Sequence, residues 1–156
     1  MSKYEIKIEK AGAAFKVKVT GVIDEDVDFN SYSLAGASTL ELNLENVKSI
    51  NSCGIREWIK WIGTGGTAAV TYLLCPKIIV DQINMVQGFL PANGKVLSFY
   101  VPYFCDESGE EKNVLFNFGK EFTESTISPP TAVKDGAGNT MEMDVVEAKY
   151  FKFIKK

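Results

Sequence analysis

The sequence predicts an α/β fold: a mixed sheet carrying helices on one face, followed by a small β-rich part. Three observations lead there. Residues 4–8, 15–19 and 39–44 alternate apolar and polar side chains, the period-two pattern of strands with one wet face. Residues 52–62 instead repeat apolar positions at helical spacing. Beyond residue 98 the chain turns to short apolar runs separated by Gly, Pro, Asn and Asp. A sheet whose strands all keep one polar face carries helices on the other face only.

The elements follow in order. Tyr4, Ile6 and Ile8 face the core from the first run, and Phe15, Val17 and Val19 from the second. Glu5, Lys7, Lys16 and Lys18 face water. A short turn at Ala11 and Gly12 makes the pair an antiparallel hairpin. Residues 21–29, GVIDEDVDF, hold an acidic cluster suited to a loop and to the first turn of a helix, where the macrodipole favours carboxylates. A helix, diluted by Ser and Gly, is expected over residues 30–38. Leu40, Leu42 and Leu44 then mark a third strand. The clearest helix begins near Ser52, with Ile55, Trp58, Ile59 and Ile62 at i, i+3, i+4 and i+7, and Gly63, Gly65 and Gly66 ending it. Trp61 lies about 110° off that stripe. It reads either as a partly buried edge of the core or as an aromatic anchor for a partner.

Residues 68–75, AAVTYLLC, form a continuous apolar run, as a central strand requires. Pro76 suits the start of a further helix with Ile79, Ile83, Val86 and Phe89 or Leu90 inward. Strand, helix, strand, helix implies a right-handed crossover and parallel strands. Residues 95–101 read as one strand and 113–118 as another, and 147–154 as a short amphipathic helix. The division falls into residues 1–97 and residues 98–156. The second part is small enough to need a staple.

Composition excludes several chemistries. The 156 residues include no histidine and three cysteines, with 17 Lys+Arg against 20 Asp+Glu, a net charge of −3. Without histidine there is no Ser-His-Asp triad, no Cys-His pair and no histidine metal ligand. The mild acidity argues against a nucleic-acid or anionic-membrane surface. No apolar leader and no membrane span are visible, and the odd cysteine count does not read as a disulfide framework. A cytoplasmic protein is the expectation.

From Leu40 to Ile62 the chain reads LELNLENVKSINSCGIREWIKWI. A hydrophobic strand, a loop ending Ile-Asn-Ser-Cys-Gly and an amphipathic helix resemble the STAS domain of anti-sigma-factor antagonists. In that family the strand leads to Asp-Ser-(Ser/Thr)-Gly at a helix start. Gly21-Val-Ile-Asp24 resembles the family's G-x-(I/L)-D turn after its second strand, and the order of elements to about residue 100 matches. The resemblance implies a STAS-like fold and a partner-binding surface at Asp24, Asn51, Ser52, Cys53, Gly54 and Trp61. It also implies a protein partner, possible members being a histidine-kinase-like ATPase or another component of a bacterial signalling system. In regulatory members the second hydroxyl of the motif accepts phosphate, and the added charge changes which partner binds. Here that position is Cys53, and the family's acid is Asn51. Ser52, the remaining candidate for phosphorylation, stands one residue early and reads more naturally as the N-cap. The expectation is therefore a binding module without the usual phosphoswitch, with no catalytic residues, metal or cofactor. The alternatives are an anion or small-ligand sensor at the Ser52–Gly54 helix start and a redox sensor at Cys53. An enzyme using Cys53 or the acids Asp24, Glu25, Asp26 and Asp28 is a further class.

In the second part, Cys105-x-x-Ser108-Gly109 and Ala132-x-x-Asp135-Gly136 share the shape of the two Cys-x-x-Cys-Gly turns of a zinc ribbon, with 22 residues between them. One thiolate and one carboxylate of four positions will not hold structural zinc. The segment resembles a degenerate ribbon, stapled by aromatics such as Tyr100, Phe116, Phe122 and Phe151.

Overall fold

The period-two runs become strands in the computed structural model, which describes residues 3–154. β1 (Tyr4–Ala11) and β2 (Ala14–Ile23) form the antiparallel hairpin in unbroken register. β3 (Thr39–Ile50), β4 (Ala69–Leu73) and β5 (Gly94–Val96) add in parallel, giving a five-stranded mixed sheet ordered β1-β2-β3-β4-β5. α1 (Ser52–Gly63) and α2 (Lys77–Met85) are the crossovers. Ile6, Phe15, Val17, Val19, Leu40 and Leu42 are buried on one face, while Glu5, Lys7, Lys16 and Lys18 are exposed on the other. The helices cover the apolar face: Trp58 of α1 donates its indole N–H to the Tyr72 hydroxyl of β4 at 3.0 Å.

β3 runs six residues beyond the alternating segment, through two register shifts against β2. Each shift adds one residue to β3 and reverses which side chains face inward. The buried set therefore changes from Leu40, Leu42 and Leu44 to Val47 and Ile50. Two expectations need correction here. The helix anticipated over residues 30–38 is only a single 3-10 turn, Phe29–Ser31, because Asp28 caps it and the Ser and Gly residues that follow cannot propagate it. The buried side of α1 centres on Gly54, Trp58, Trp61 and Ile62, with Ile55 and Ile59 at its margin.

The single strand anticipated over residues 95–101 is two. β5 ends at Val96, and β6 (Ser98–Phe104) leaves for a second, antiparallel sheet ordered β7-β6-β8, with β7 (Glu111–Asn117) and β8 (Glu142–Met143). The cause lies in β4, which ends as Leu74 takes φ +53°, a strained value for a side chain branched at Cγ. Cys75 then bridges to Phe99, its N–H donating to the Ser98 carbonyl at 3.1 Å and its carbonyl accepting from Tyr100 N–H at 2.8 Å. The second sheet thus grows out of the first, and one continuous set of buried apolar side chains runs through both.

Phe99 is the centre of the aromatic staple. Its ring lies 4.9–6.2 Å from those of Phe116, Phe122, Tyr150, Phe151 and Phe153. The last three come from the one-turn helix α3 (Glu147–Tyr150) and the chain after it. Asn84 of α2 holds that segment, its amide donating to the Tyr150 carbonyl at 2.8 Å and its Oδ1 accepting from Phe153 N–H at 2.9 Å. No helix among the described residues is long and apolar enough to cross a membrane.

Candidate functional site

The turn after β2 depends on Gly21. Its φ is +91°, and a Cβ there would stand 2.1 Å from the Lys3 carbonyl. Asp24 follows, with its side chain almost covered. Its carboxylate accepts from the Lys3 ammonium at 2.6 Å and from Asp26 N–H at 2.9 Å. The Lys3 hydrogen bond is the main reason its carboxyl is held below the usual range, and the pairing raises the Lys3 ammonium in turn. Asp24 therefore stays ionised and is poorly suited to take up a proton as a general base.

The helix start lies beside this turn. Asn51 is the N-cap, its Oδ1 accepting from Gly54 N–H at 2.9 Å. This corrects the assignment of the cap to Ser52, which is the exposed first residue of α1. Asn51 also reaches the acidic turn: its amide donates to Glu25 Oε2 at 3.0 Å, and its backbone N–H to the Ile23 carbonyl at 3.1 Å. Gly54 lets α1 approach the end of β2, since a Cβ would lie 2.3 Å from the Ile23 carbonyl oxygen. Asp24, Asn51, Ser52, Cys53 and Gly54 are thereby gathered at one corner, with Ser52 exposed and Cys53 half-buried.

Trp61 does not belong to that corner. It sits about 12 Å further along the helix axis and is buried. Its indole N–H donates to the Tyr32 carbonyl at 2.7 Å, and its ring stacks on Phe29 at 4.7 Å. The ring that reads as a possible external anchor is an internal one. It borders a cleft of about 300 Å³ shared with Asp28, Tyr32, Glu57 and Lys60.

The four acids do not converge. Asp24 and Asp26 both meet Lys3, at 2.6 and 2.8 Å. Glu25 meets Asn51, and Asp28 accepts from Asn30 N–H and the Ser31 hydroxyl. Among the described residues no cluster of three or more metal-ligating side chains occurs. Sequence reasoning missed Lys3 and the pairing of Glu25. Lys3 was legible only as a charge beside a strand, and its partner is set by the hairpin register.

The two zinc-ribbon-like turns do meet. The Ser108 hydroxyl donates to Asp135 Oδ2 at 2.6 Å, and the other oxygen accepts from the N–H groups of Ala137 and Asn139. Glu110 reaches across to Gly136 N–H at 3.1 Å. The hydroxyl bond is the largest reason the Asp135 carboxyl lies far below its usual range, helped by Asn139 and the Cys105 thiol. Ala132 is exposed, away from any ligand role. Cys75 is fully buried, which pushes its thiol up. Among the described residues the buried side-chain polar atom without a partner is Tyr103 Oη.

No protein-family model, curated protein or solved structure matches this chain.

Proposed function

We propose that the chain is a protein-interaction module of a bacterial signalling system, STAS-like in architecture, that binds its partner without catalysis and without the usual phosphoswitch. The observation that carries this reading is Asn51. One side chain caps α1 and grips Glu25, so the Asp24 turn and the Asn-Ser-Cys-Gly helix start form one surface. These are the two motifs that resemble the anti-sigma-factor antagonists. The mixed sheet with its β-β-β-α-β-α-β order supports the same reading. The acids at this corner are engaged by Lys3 and Asn51, which suits a fixed, charged recognition surface better than proton transfer. A histidine-kinase-like ATPase is the partner class the resemblance implies.

Capture from a native lysate tests this with a variant on the proposed face, Ser52→Arg, and one on the opposite sheet face, Lys18→Glu. Both positions are exposed. The wild type and Lys18→Glu should retain a protein partner that Ser52→Arg loses. Recovery of no partner, or equal retention by Ser52→Arg, overturns the module. Incubation with the captured partner and ATP tests the absent phosphoswitch: a mass gain of about 80 Da, lost in Ser52→Ala, would restore it.

A further inference from the structure

β1 forms one edge of the five-stranded sheet, and among the described residues no strand pairs with its outer side. Its eight residues pair with β2 without a bulge, and it contains no proline. Edge strands left this regular are templates for pairing with another strand. The hydrogen-bonding groups point the right way. The Lys3 carbonyl accepts from Val22 N–H at 2.7 Å and the Glu5 carbonyl faces the Thr20 hydroxyl, so odd-numbered residues of this strand engage β2. The backbone groups of Tyr4, Ile6 and Ile8 therefore face outward.

We propose that this edge pairs antiparallel with β1 of a second copy about a two-fold axis at Ile6, extending the sheet across a homodimer. The register follows from the side chains. Opposed residues in an antiparallel pair lie on the same face of the sheet, so apolar positions must meet apolar ones. Centring on Ile6 sets Ile6 against Ile6 of the second copy and Tyr4 against its Ile8. It also sets Glu5 against Lys7, twice by symmetry. The neighbouring registers fail. A shift that centres on Lys7 opposes Lys7 to Lys7 and Glu5 to Glu9, and one that centres on Glu5 opposes Glu5 to Glu5. Centring on Ile8 sets Ile6 against Lys10. The segment Tyr-Glu-Ile-Lys-Ile is thus complementary to itself in one register. The two-fold axis places the helices of both copies on the same side of the joined sheet. Glu5 and Lys7 hold only a loose 3.7 Å pair within one chain, and both are well exposed, leaving them free for the second copy.

Sedimentation velocity across a concentration series tests this with Glu5→Lys, Lys7→Glu and the double swap. The wild type should populate a species of twice the 17.2 kDa chain. Each single reversal sets two like-charged pairs across the axis and should weaken dimerisation roughly tenfold or more. Mixing the two single variants should restore a dimer, because each then offers the charge the other lacks, and the double swap should dimerise by itself. Neither reversal threatens the hairpin: position 5 faces Thr20 and position 7 faces Lys18. A wild type that stays monomeric at high micromolar concentration overturns the proposal. So does a dimer that persists in both single variants, or single variants that fail to recover on mixing.

Discussion

The Ser108 hydroxyl donates to the Asp135 carboxylate at 2.6 Å, joining two turns 27 residues apart in the chain. The bond links the two turns, residues 105–109 and 132–136, whose sequence shape resembles the paired turns of a zinc ribbon. A carboxylate satisfied by one hydroxyl, two backbone N–H groups and the Asn139 amide ties the two turns together. A charge-assisted hydrogen bond needs no metal to hold that geometry.

The first prediction concerns acid. Asp135 titrates lower in the folded protein than in the unfolded chain, so the unfolded chain takes up that proton first and acid favours unfolding. The stability this carboxylate contributes is fully present above an unfolded value of about 4 and is lost as pH falls below it. Urea midpoints measured down this limb should fall less steeply for Asp135→Asn than for wild type, and Ser108→Ala should show an intermediate slope. An unchanged slope in Asp135→Asn would remove the carboxylate from the account.

Metal content gives a second prediction. Protein purified without added metal should carry no stoichiometric zinc, and dialysis against a chelator should leave its thermal midpoint unchanged. Only Cys105 and Asp135 of the four ribbon-like positions offer a ligand. Zinc at one equivalent, measured by atomic emission, would contradict this.

Two tyrosines should respond oppositely to loss of the hydroxyl. Tyr72 Oη accepts from the Trp58 indole at 3.0 Å and donates to the Phe89 carbonyl at 2.6 Å, all three being buried. Tyr72→Phe leaves both partners unsatisfied and should cost roughly 2–4 kcal/mol. Tyr103 Oη has no partner among the described residues, so Tyr103→Phe should be neutral or stabilising. Denaturant unfolding followed by tryptophan emission reads both, and equal losses in the two variants would refute the distinction.

Glycine in α1 separates space from propensity. Alanine at position 54 would gain up to about 1 kcal/mol in helix propensity. However, its Cβ would lie 2.3 Å from the Ile23 carbonyl, and relieving that overlap should cost more, for a net loss of roughly 1–3 kcal/mol. Gly63→Ala, where a Cβ meets nothing within 4 Å, should be neutral or stabilising. Thermal melts of both variants decide the point, and a neutral Gly54→Ala would mean that α1 is free to move away from β2.

Thiol labelling provides a fifth test. Native protein should react with an alkylating reagent at Cys53 alone, because Cys75 and Cys105 are buried and burial pushes the Cys75 thiol up. Peptide mapping before and after unfolding should show the other two only in denaturant. Native labelling at Cys75 would show that the junction between β4 and β6 opens readily.

Much of the sheet was legible in the sequence because a strand's two faces repeat every second residue. Tyr4 to Ile8 and Phe15 to Val19 needed only that period, and α1 needed only its helical stripe. The register shifts in β3 left no such trace, since an inserted residue looks locally like any other. The break at Leu97 was equally hidden, because residues 95–101 satisfy one strand pattern while β4 turns away at Leu74. At the corner of α1, the motif residues Asp24 and Asn51–Gly54 could be named from spacing. Their actual partners, Lys3 and Glu25, could not, because ion pairs and caps depend on distances across the fold.

By itself the sequence determined the β1–β2 hairpin and its two faces, the presence of α1 and the parallel strands around it, and that no histidine chemistry is available. These follow from local periodicity and residue type, which the chain carries wherever it goes. Only the tertiary structure decided that Trp61 is an internal ring, that Asn51 rather than Ser52 caps α1, and that Ser108 meets Asp135. Trp61 and Ser108 depend on partners 29 and 27 residues away, and Asn51, whose cap bond to Gly54 is local, is held in place by Glu25, 26 residues away. A hydrogen bond exists only when donor and acceptor converge within about 3 Å, a condition set by packing and not by sequence distance.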